Sequence, residues 1–142
     1  MAWGKLIRHF ILVVVLIATG LGTVSAYHSY ILTVHELKRG LDRAPSLTNK
    51  GFFLIDVRTP AEHQSGYIPG TDLNIDFREI AARHREIGAR LDDHIVVYCQ
   101  SGRRSHIAAE TLADLGYKYV YNVDGSMNAW EAAGYPVEVP RR

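Results

Sequence analysis

A single cysteine stands at the head of a short segment whose residue types favour nucleophilic chemistry. Cys99 ends an apolar run and is followed in order by Gln100, Ser101, Gly102, Arg103, Arg104 and Ser105. Gly102 permits a tight turn, whose main-chain N–H groups and those of a following helix point at one anion. The helix dipole and the two arginines add positive charge. Because such surroundings lower the pKa of a thiol, we expect Cys99 to be an ionised thiolate within reach of solvent.

The same group of donors suits a terminal persulfide anion and an incoming anion such as thiosulfate. A lone cysteine would then accept one sulfur atom and give it to a second nucleophile in a two-step covalent cycle. This cycle demands no general base, since the thiolate is already formed. The alternative is an inert cysteine buried in the core, a common place for a free thiol. The position of Cys99 between an apolar run, a glycine and two arginines favours the functional interpretation.

Apolar runs and helix-start patterns predict the elements that position this segment. Strands are predicted at 52–57, 94–98 and 119–123. Capping boxes predict helices after Thr33 and after Asp76, and further helices are predicted over 105–115 and 126–133, with a loop between 59 and 70. This alternation predicts an α/β fold with a mostly parallel central sheet and helices on both faces. Ligands of such sheets bind beyond the carboxyl ends of the strands, where Cys99 lies.

Composition excludes several classes of protein. The chain has 142 residues, a net charge of +1 and one cysteine. One cysteine can form neither an internal disulfide nor a CxxC redox pair. The near balance of charge argues against a nucleic-acid partner. The histidines show no metal-ligand spacing, so we predict no metal and no cofactor, and we assign none of the histidines to a site.

The first residues are typical of export. Lys5 and Arg8 precede the apolar run 10–18, and Val24-Ser25-Ala26 offers a cleavage site before Tyr27. We therefore expect segment 1–26 to be a hydrophobic helix that serves as a signal peptide, and residues 27–142 to form an exported, periplasmic or otherwise extracytoplasmic domain. An uncleaved anchor, with residues 5–26 as a membrane tether, is the alternative. We favour the cleaved signal because the second half of the stretch is only weakly apolar.

Four segments resemble those of the rhodanese-like sulfurtransferases, and the resemblance covers nearly all of residues 33–139. The matching positions are 54–58 with Pro60, Glu62 and Gly66; 67–70 with 73–75; 96–105; and 115–116, 123–125, 129–130 and 134–137. The family implies a rhodanese-like fold and a persulfide on Cys99, with residues 100–105 binding the anion. It also implies that Asp56 and Arg58 support the active loop, although a purely structural ion pair is an equal alternative.

The length of the loop and two departures from the family pattern bear on which activity of the family is expected. The loop from Cys99 to Arg104 has six residues, one fewer than in related phosphatases of the cell-cycle type, which implies sulfur chemistry. Tyr67 and Ser126 replace a histidine and a glycine that are common in the family, and we expect neither to touch the chemistry. The leading hypothesis is a thiosulfate sulfurtransferase with cyanide or a thiol as acceptor. A sulfur-carrier or non-catalytic module that binds an unknown protein partner at a membrane is the alternative, and a cysteine phosphatase or arsenate-type reductase is the weakest.

Overall fold

Five strands form one parallel sheet at the centre of the domain. The computed structural model describes residues 28–141. The strands are β1 Tyr30–Leu32, β2 Phe53–Asp56, β3 Leu73–Asn74, β4 His94–Tyr98 and β5 Tyr119–Val123, in the spatial order β1-β5-β4-β2-β3. Every neighbouring pair is parallel, and β4 lies in the middle between β5 and β2. The carboxyl end of β4 is therefore flanked by two other strand ends, and Cys99 follows it directly.

Helices cover both faces of this sheet, as predicted. They are α1 Val34–Arg43, α2 Pro60–Ser65, α3 Ile80–Arg83 with a 3₁₀ turn at His84–Ile87, α4 Arg103–Asp114 and α5 Ser126–Ala132. Because successive side chains of a strand point to opposite faces, two separate cores form. One packs α1 and α5 on residues such as Leu54 and Val96. The other packs α3 and α4 on Ile55 and Val97, and Cys99 points into this second core.

Most predicted elements are confirmed within a residue or two at each end. The capping box at the start of α1 is present, with Glu36 and Thr33 bonded in both directions. The second capping box is wrong. Asp76 instead accepts from the amide and guanidinium of Arg78, so α3 begins later, at Ile80, without a side-chain cap. Helix α2 lies where we expected a loop.

The signal peptide or membrane anchor predicted for residues 1–26 lies outside the described residues. Among residues 28–141, none of the helices combines the length and apolarity needed to cross a bilayer.

Candidate active site

Hydrogen-bond donors converge on the sulfur of Cys99 at the tip of β4. The main-chain N–H of Gly102 donates to Sγ at 3.1 Å, and the hydroxyl of Ser105 lies 3.3 Å from it. Gly102 takes a φ of 97°, which turns its amide toward the sulfur and starts α4. Burial raises the pKa of Cys99, but the hydroxyl and amide of Ser105 and the amides of Gly102 and Ser101 outweigh it, so the net shift is downward. The main-chain amides that the sequence placed around the sulfur therefore face it, and the oxygen of the Ser105 hydroxyl lies beside them.

The start of α5 holds this loop from the other side. The amides of Met127 and Asn128 donate to the carbonyls of Cys99 and Gln100, at 3.1 and 2.9 Å. The first turn of α5 thus satisfies the loop's carbonyls, while the first turn of α4 is left to face the sulfur. The N-termini of α4 and α5 together therefore orient the loop.

Two side chains beneath the loop fix it further. Ser126 accepts the N–H of Cys99 at 3.1 Å and donates to the carbonyl of Val123. Asn122, near the end of β5, accepts from Ser105 at 2.6 Å and donates to the carbonyl of Gly102. Ser126, one of the two departures from the family pattern, thus contacts Cys99 through its main-chain amide.

A buried ion pair anchors the loop to the end of β2. Arg58 donates through Nε and Nη2 to the carboxylate of Asp56, which is fully buried. The same guanidinium donates to the carbonyl of Gly66 at 2.6 Å and reaches the side-chain oxygen of Gln100 at 3.4 Å. His63 Nδ1 lies 2.9 Å from the carboxylate of Asp56. Asp56 and Arg58 therefore form a buried ion pair, and its guanidinium is the part that reaches the loop, at Gln100.

The two arginines of the loop have different surroundings. Arg103 is exposed on the surface of α4. Arg104 donates from both Nη atoms to the two oxygens of Glu62, at 2.9 and 2.8 Å. Those bonds raise the pKa of Arg104, and the nearby charge of Cys99 adds to the rise. Of the two cations expected beside the sulfur, only Arg104 is there, and a carboxylate already pairs with it.

The sulfur is less open than the sequence suggested. Cys99 is fully buried, which corrects the expectation of a thiolate within reach of solvent. Main-chain amides nevertheless face it, which distinguishes its surroundings from those of a thiol in a purely apolar core. A cleft of about 220 Å³ opens beside the loop, and its walls include Arg58, Gln100 and Met127.

Comparison with known proteins identifies the family. The family model described as the rhodanese-like domain matches residues 33–133. The chain belongs to the rhodanese-like domain family. It is 40% identical over 87 residues to a protein named sulfurtransferase from Allochromatium vinosum, covering 61% of this chain and 78% of the relative. It is 38% identical over 97 residues to thiosulfate sulfurtransferase GlpE of Pseudomonas syringae pv. syringae, covering 68% and 88%.

Solved structures agree with the rhodanese-like fold. A rhodanese-related protein from Thermoplasma volcanium superposes with a TM-score of 0.62 at 30% identity, covering 80% of this chain and all of that one. A rhodanese-like domain protein from Staphylococcus aureus gives 0.65 at 28% identity, covering 79% and 99%. The predicted fold class and family are therefore confirmed.

Sequence reasoning missed several residues of this rhodanese-like site. His63, Glu62 and Asn122 were assigned no role, yet each contacts a residue of the predicted set. Asn122 had a detectable signal, since it is a polar residue near the carboxyl end of a strand in a parallel sheet. Glu62 had a weaker signal, as the last residue of the Thr-x-x-Glu capping box that begins at Thr59. The contact between His63 and Asp56 had no such signal in the sequence.

Proposed function

We propose that this rhodanese-like domain moves sulfane sulfur from a small anionic donor such as thiosulfate to cyanide or a thiol, through a persulfide on Cys99. The observation that carries the proposal is the group of main-chain amides at the Cys99 sulfur, from Ser101, Ser105 and Gly102, the last of which donates to Sγ at 3.1 Å. Donors in that position stabilise a sulfur anion. Support also comes from relatives named thiosulfate sulfurtransferase, in Pseudomonas syringae and in Escherichia coli.

The reaction has two covalent steps. The Cys99 thiolate attacks the outer sulfur of thiosulfate, the S–S bond of the donor breaks, and sulfite leaves with the electron pair. The amides that faced the thiolate then face the terminal sulfur of Cys99–S–S⁻, which carries the negative charge. Cyanide or a thiolate attacks that sulfur, and the bond to Sγ breaks to regenerate the thiolate. Charge stays on sulfur throughout, so preorganised amide donors serve both steps.

Intact-mass measurement tests this proposal directly. Thiosulfate is expected to add one sulfur atom to the protein, and cyanide to remove it with release of thiocyanate. Cys99→Ser is the control and is expected to gain no mass, because the protein has no other cysteine. If the wild-type protein shows no one-sulfur adduct with thiosulfate or any other sulfane donor, the proposal is wrong.

A sulfur-carrier or partner-binding module is the second candidate. The burial of Cys99 favours it, because a covered persulfide is protected until a partner opens the site. A relative named putative sulfur carrier protein YrkF, from Bacillus subtilis, is 33% identical over 99 residues, and the match spans 49% of its length. A carrier would load one sulfur but release almost none to cyanide over many turnovers. Loss of sulfur to a membrane protein captured with the loaded domain would favour this candidate.

We also propose that the domain acts outside the cytoplasm. The support is the sequence pattern of residues 1–26, with Lys5 and Arg8 before an apolar run and Val24-Ser25-Ala26 after it. Amino-terminal sequencing of protein purified from cells is the test. A start at Tyr27 indicates a cleaved signal, and an intact start in the membrane fraction indicates a tether at the outer face. An intact start in the cytosolic fraction would contradict export.

A further inference from the structure

The amino ends of the strands form an edge of the sheet that lies opposite the edge with Cys99. Because neighbouring strands are all parallel, β4 and β5 both begin at this amino edge, with His94 and Tyr119. Strand β4 has five residues, which places the two edges about 16 Å apart at about 3.3 Å per residue. A ligand at the amino edge is therefore too far away to contact Cys99.

A row of aromatic side chains crosses three neighbouring strands near this edge. The ring centres of Tyr30 and Tyr121 lie 5.4 Å apart. His94 stacks on both Tyr121 and Tyr119, with its ring centre 5.7 and 4.8 Å from theirs. Tyr30 and Tyr119 are 51% and 38% exposed, and Leu91, which precedes β4, is exposed as well. Apolar side chains gathered on one surface in this way mark a binding surface for a protein or a membrane.

An apolar cavity of about 380 Å³ lies next to this row, between α1 and the sheet. Its apolar walls are formed by Leu32, Leu37, Phe52, Val96 and Tyr121. Its charged or titratable members, Glu36 and His94, are both exposed. Walls of this kind favour an uncharged apolar ligand over water. Since Tyr121 and His94 belong to both the row and the cavity, the two form one continuous surface.

The direction in which the chain enters the domain indicates what covers this surface. Strand β1 runs from Tyr30 toward the carboxyl edge, so the residues before it come from the side of the amino edge. The sequence between Arg8 and Glu36 contains no Asp, Glu, Lys or Arg, and it includes the apolar run 10–18. Such a stretch enters a bilayer, either during export or permanently. A lipid bilayer is therefore the occupant that the sequence brings to this side.

We propose that the amino edge docks on the outer lipid surface of a membrane, with Tyr30 and Tyr119 at the interface and one lipid acyl chain in the cavity. A tyrosine ring suits the headgroup level, where the ring meets lipid and the hydroxyl meets water. The inference goes beyond sulfur transfer and relies on the proposed export for the choice of membrane face. It also places the Cys99 loop on the aqueous side, where a soluble sulfur acceptor reaches it.

The attraction in this proposal is apolar. Arg90, which lies just before β4, is paired with Asp92 and Asp93, so its charge is compensated within the protein. Membrane binding by apolar side chains scales with the area that they bury, whereas attraction between exposed charges falls with added salt. Docking is therefore expected to survive high ionic strength.

Site-specific fluorescence tests the orientation. In the Cys99→Ser background, Tyr119→Cys and Val137→Cys each offer one thiol for bimane, and the two native side chains are equally exposed, at 38%. Val137 lines the cleft beside Gln100, so it reports the carboxyl edge. Each labelled protein, in the form that amino-terminal sequencing finds in cells, is measured with phosphatidylcholine vesicles that carry a nitroxide on the acyl chain.

Bimane at position 119 is expected to lose fluorescence to the nitroxide, at low and at high salt, and bimane at position 137 to keep it. Equal loss at both positions, or no loss at 119, would overturn the proposal. So would a dimer in vesicle-free buffer that shields position 119 from aqueous iodide, because a second copy would then cover the face. Sulfur loading of the wild-type protein is measured separately, so this inference and the proposed function can fail independently.

Two substitutions at Gly40, which lines the cavity, test the acyl-chain site with decanol as the probe. Saturating decanol is expected to raise the melting temperature of the wild-type protein by roughly 5 °C. Gly40→Leu fills the cavity and is expected to abolish this shift. Gly40→Ala is the control, because it also replaces the helical glycine, but its Cβ only meets Phe52 at an ordinary 3.5 Å and leaves the rest of the cavity open. A shift that survives in Gly40→Leu, or that is absent from the wild-type protein, would overturn this site.

Discussion

The hydroxyl of Ser126 accepts the main-chain N–H of Cys99 at 3.1 Å, although Ser126 itself has a φ of 44°. A residue with a side chain rarely adopts such a left-handed conformation, and doing so costs about 1–2 kcal/mol. The hydroxyl offsets this cost, because it satisfies a buried amide and also donates to the carbonyl of Val123. Serine at this position therefore offsets the backbone strain by giving the buried amide of Cys99 a hydrogen-bond partner.

Two substitutions at Ser126 separate these effects. Ser126→Ala keeps the strain and leaves the Cys99 amide without a partner, so it is expected to lower the free energy of unfolding by about 1–3 kcal/mol. Ser126→Gly also loses the hydroxyl but relieves the strain, so it is expected to be more stable than the alanine variant by about 1 kcal/mol. Urea unfolding of both proteins measures the difference. Equal stability of the two variants would show that the positive φ carries no cost.

The sequence was sufficient where the signal is local, and insufficient where distant segments meet. The apolar run 94–98 followed by Cys99 and Gly102 correctly predicted a strand tip and a loop whose amides face the sulfur. The Glu62–Arg104 pair joins positions far apart in the chain, and no periodicity reports which charged side chains pair across a fold. Helix α2 was missed because none of its residues is buried, so it lacks an apolar repeat despite its cap.

Very short strands escaped prediction for a related reason. Strand β1 has three residues and β3 has two, which is too short for an alternating pattern. Each forms because a neighbour, β5 or β2, offers hydrogen-bonding partners in parallel register. These two strands therefore depend on pairing within the assembled sheet and not on a pattern in their own residues.

The chain offers an internal comparison of one ion-pair geometry at two depths. Asp56 and Arg58 repeat the pattern of Asp76 and Arg78, with the carboxylate accepting from the amide and guanidinium two residues on. The side chain of Arg58 is 4% exposed, and that of Arg78 is 68% exposed. Asp56→Asn would leave a buried cation uncompensated, so we expect a loss of about 3–5 kcal/mol in the free energy of unfolding.

Asp76→Asn is the control for that experiment. Water screens the exposed guanidinium of Arg78, so the loss is expected to stay below about 1 kcal/mol. Both variants are compared with the wild-type protein by urea denaturation at one pH. Similar losses for the two variants would mean that burial does not set the contribution of this pair.

Gly102 is expected to control the ionisation of Cys99. It has a φ of 97°, and a Cβ there would come within 3.3 Å of the Gly125 amide nitrogen. Gly102→Ala should therefore displace the loop, move the 3.1 Å amide donor away from the sulfur and raise the pKa of Cys99. The pH dependence of Cys99 alkylation by iodoacetamide measures that pKa. Gly88→Ala is the control, because Gly88 also has a positive φ but faces open space. A Gly102→Ala protein with the wild-type alkylation profile would contradict this account of the donors.

The pairing of Glu62 with Arg104 should make a contribution to stability that disappears only in strong acid. The hydrogen bonds from Arg104 come first in lowering the pKa of Glu62, from 4.5 to about 2. Since the folded value lies below the unfolded one, the contribution is complete above about pH 4.5 and is lost as the pH falls through about 2. About a third of each side chain is exposed, so solvent screening limits it to the order of 1 kcal/mol.

Unfolding of the wild-type protein and of Glu62→Gln at a series of pH values tests this dependence. The wild-type protein is expected to be the more stable at pH 7, and the difference should shrink steadily between about pH 4.5 and 2. Near the lower limit the protonated carboxyl resembles the amide of glutamine, so the two curves should meet. A difference that stays constant over this range would mean that the titrating charge of Glu62 is not what stabilises the wild-type protein over the variant.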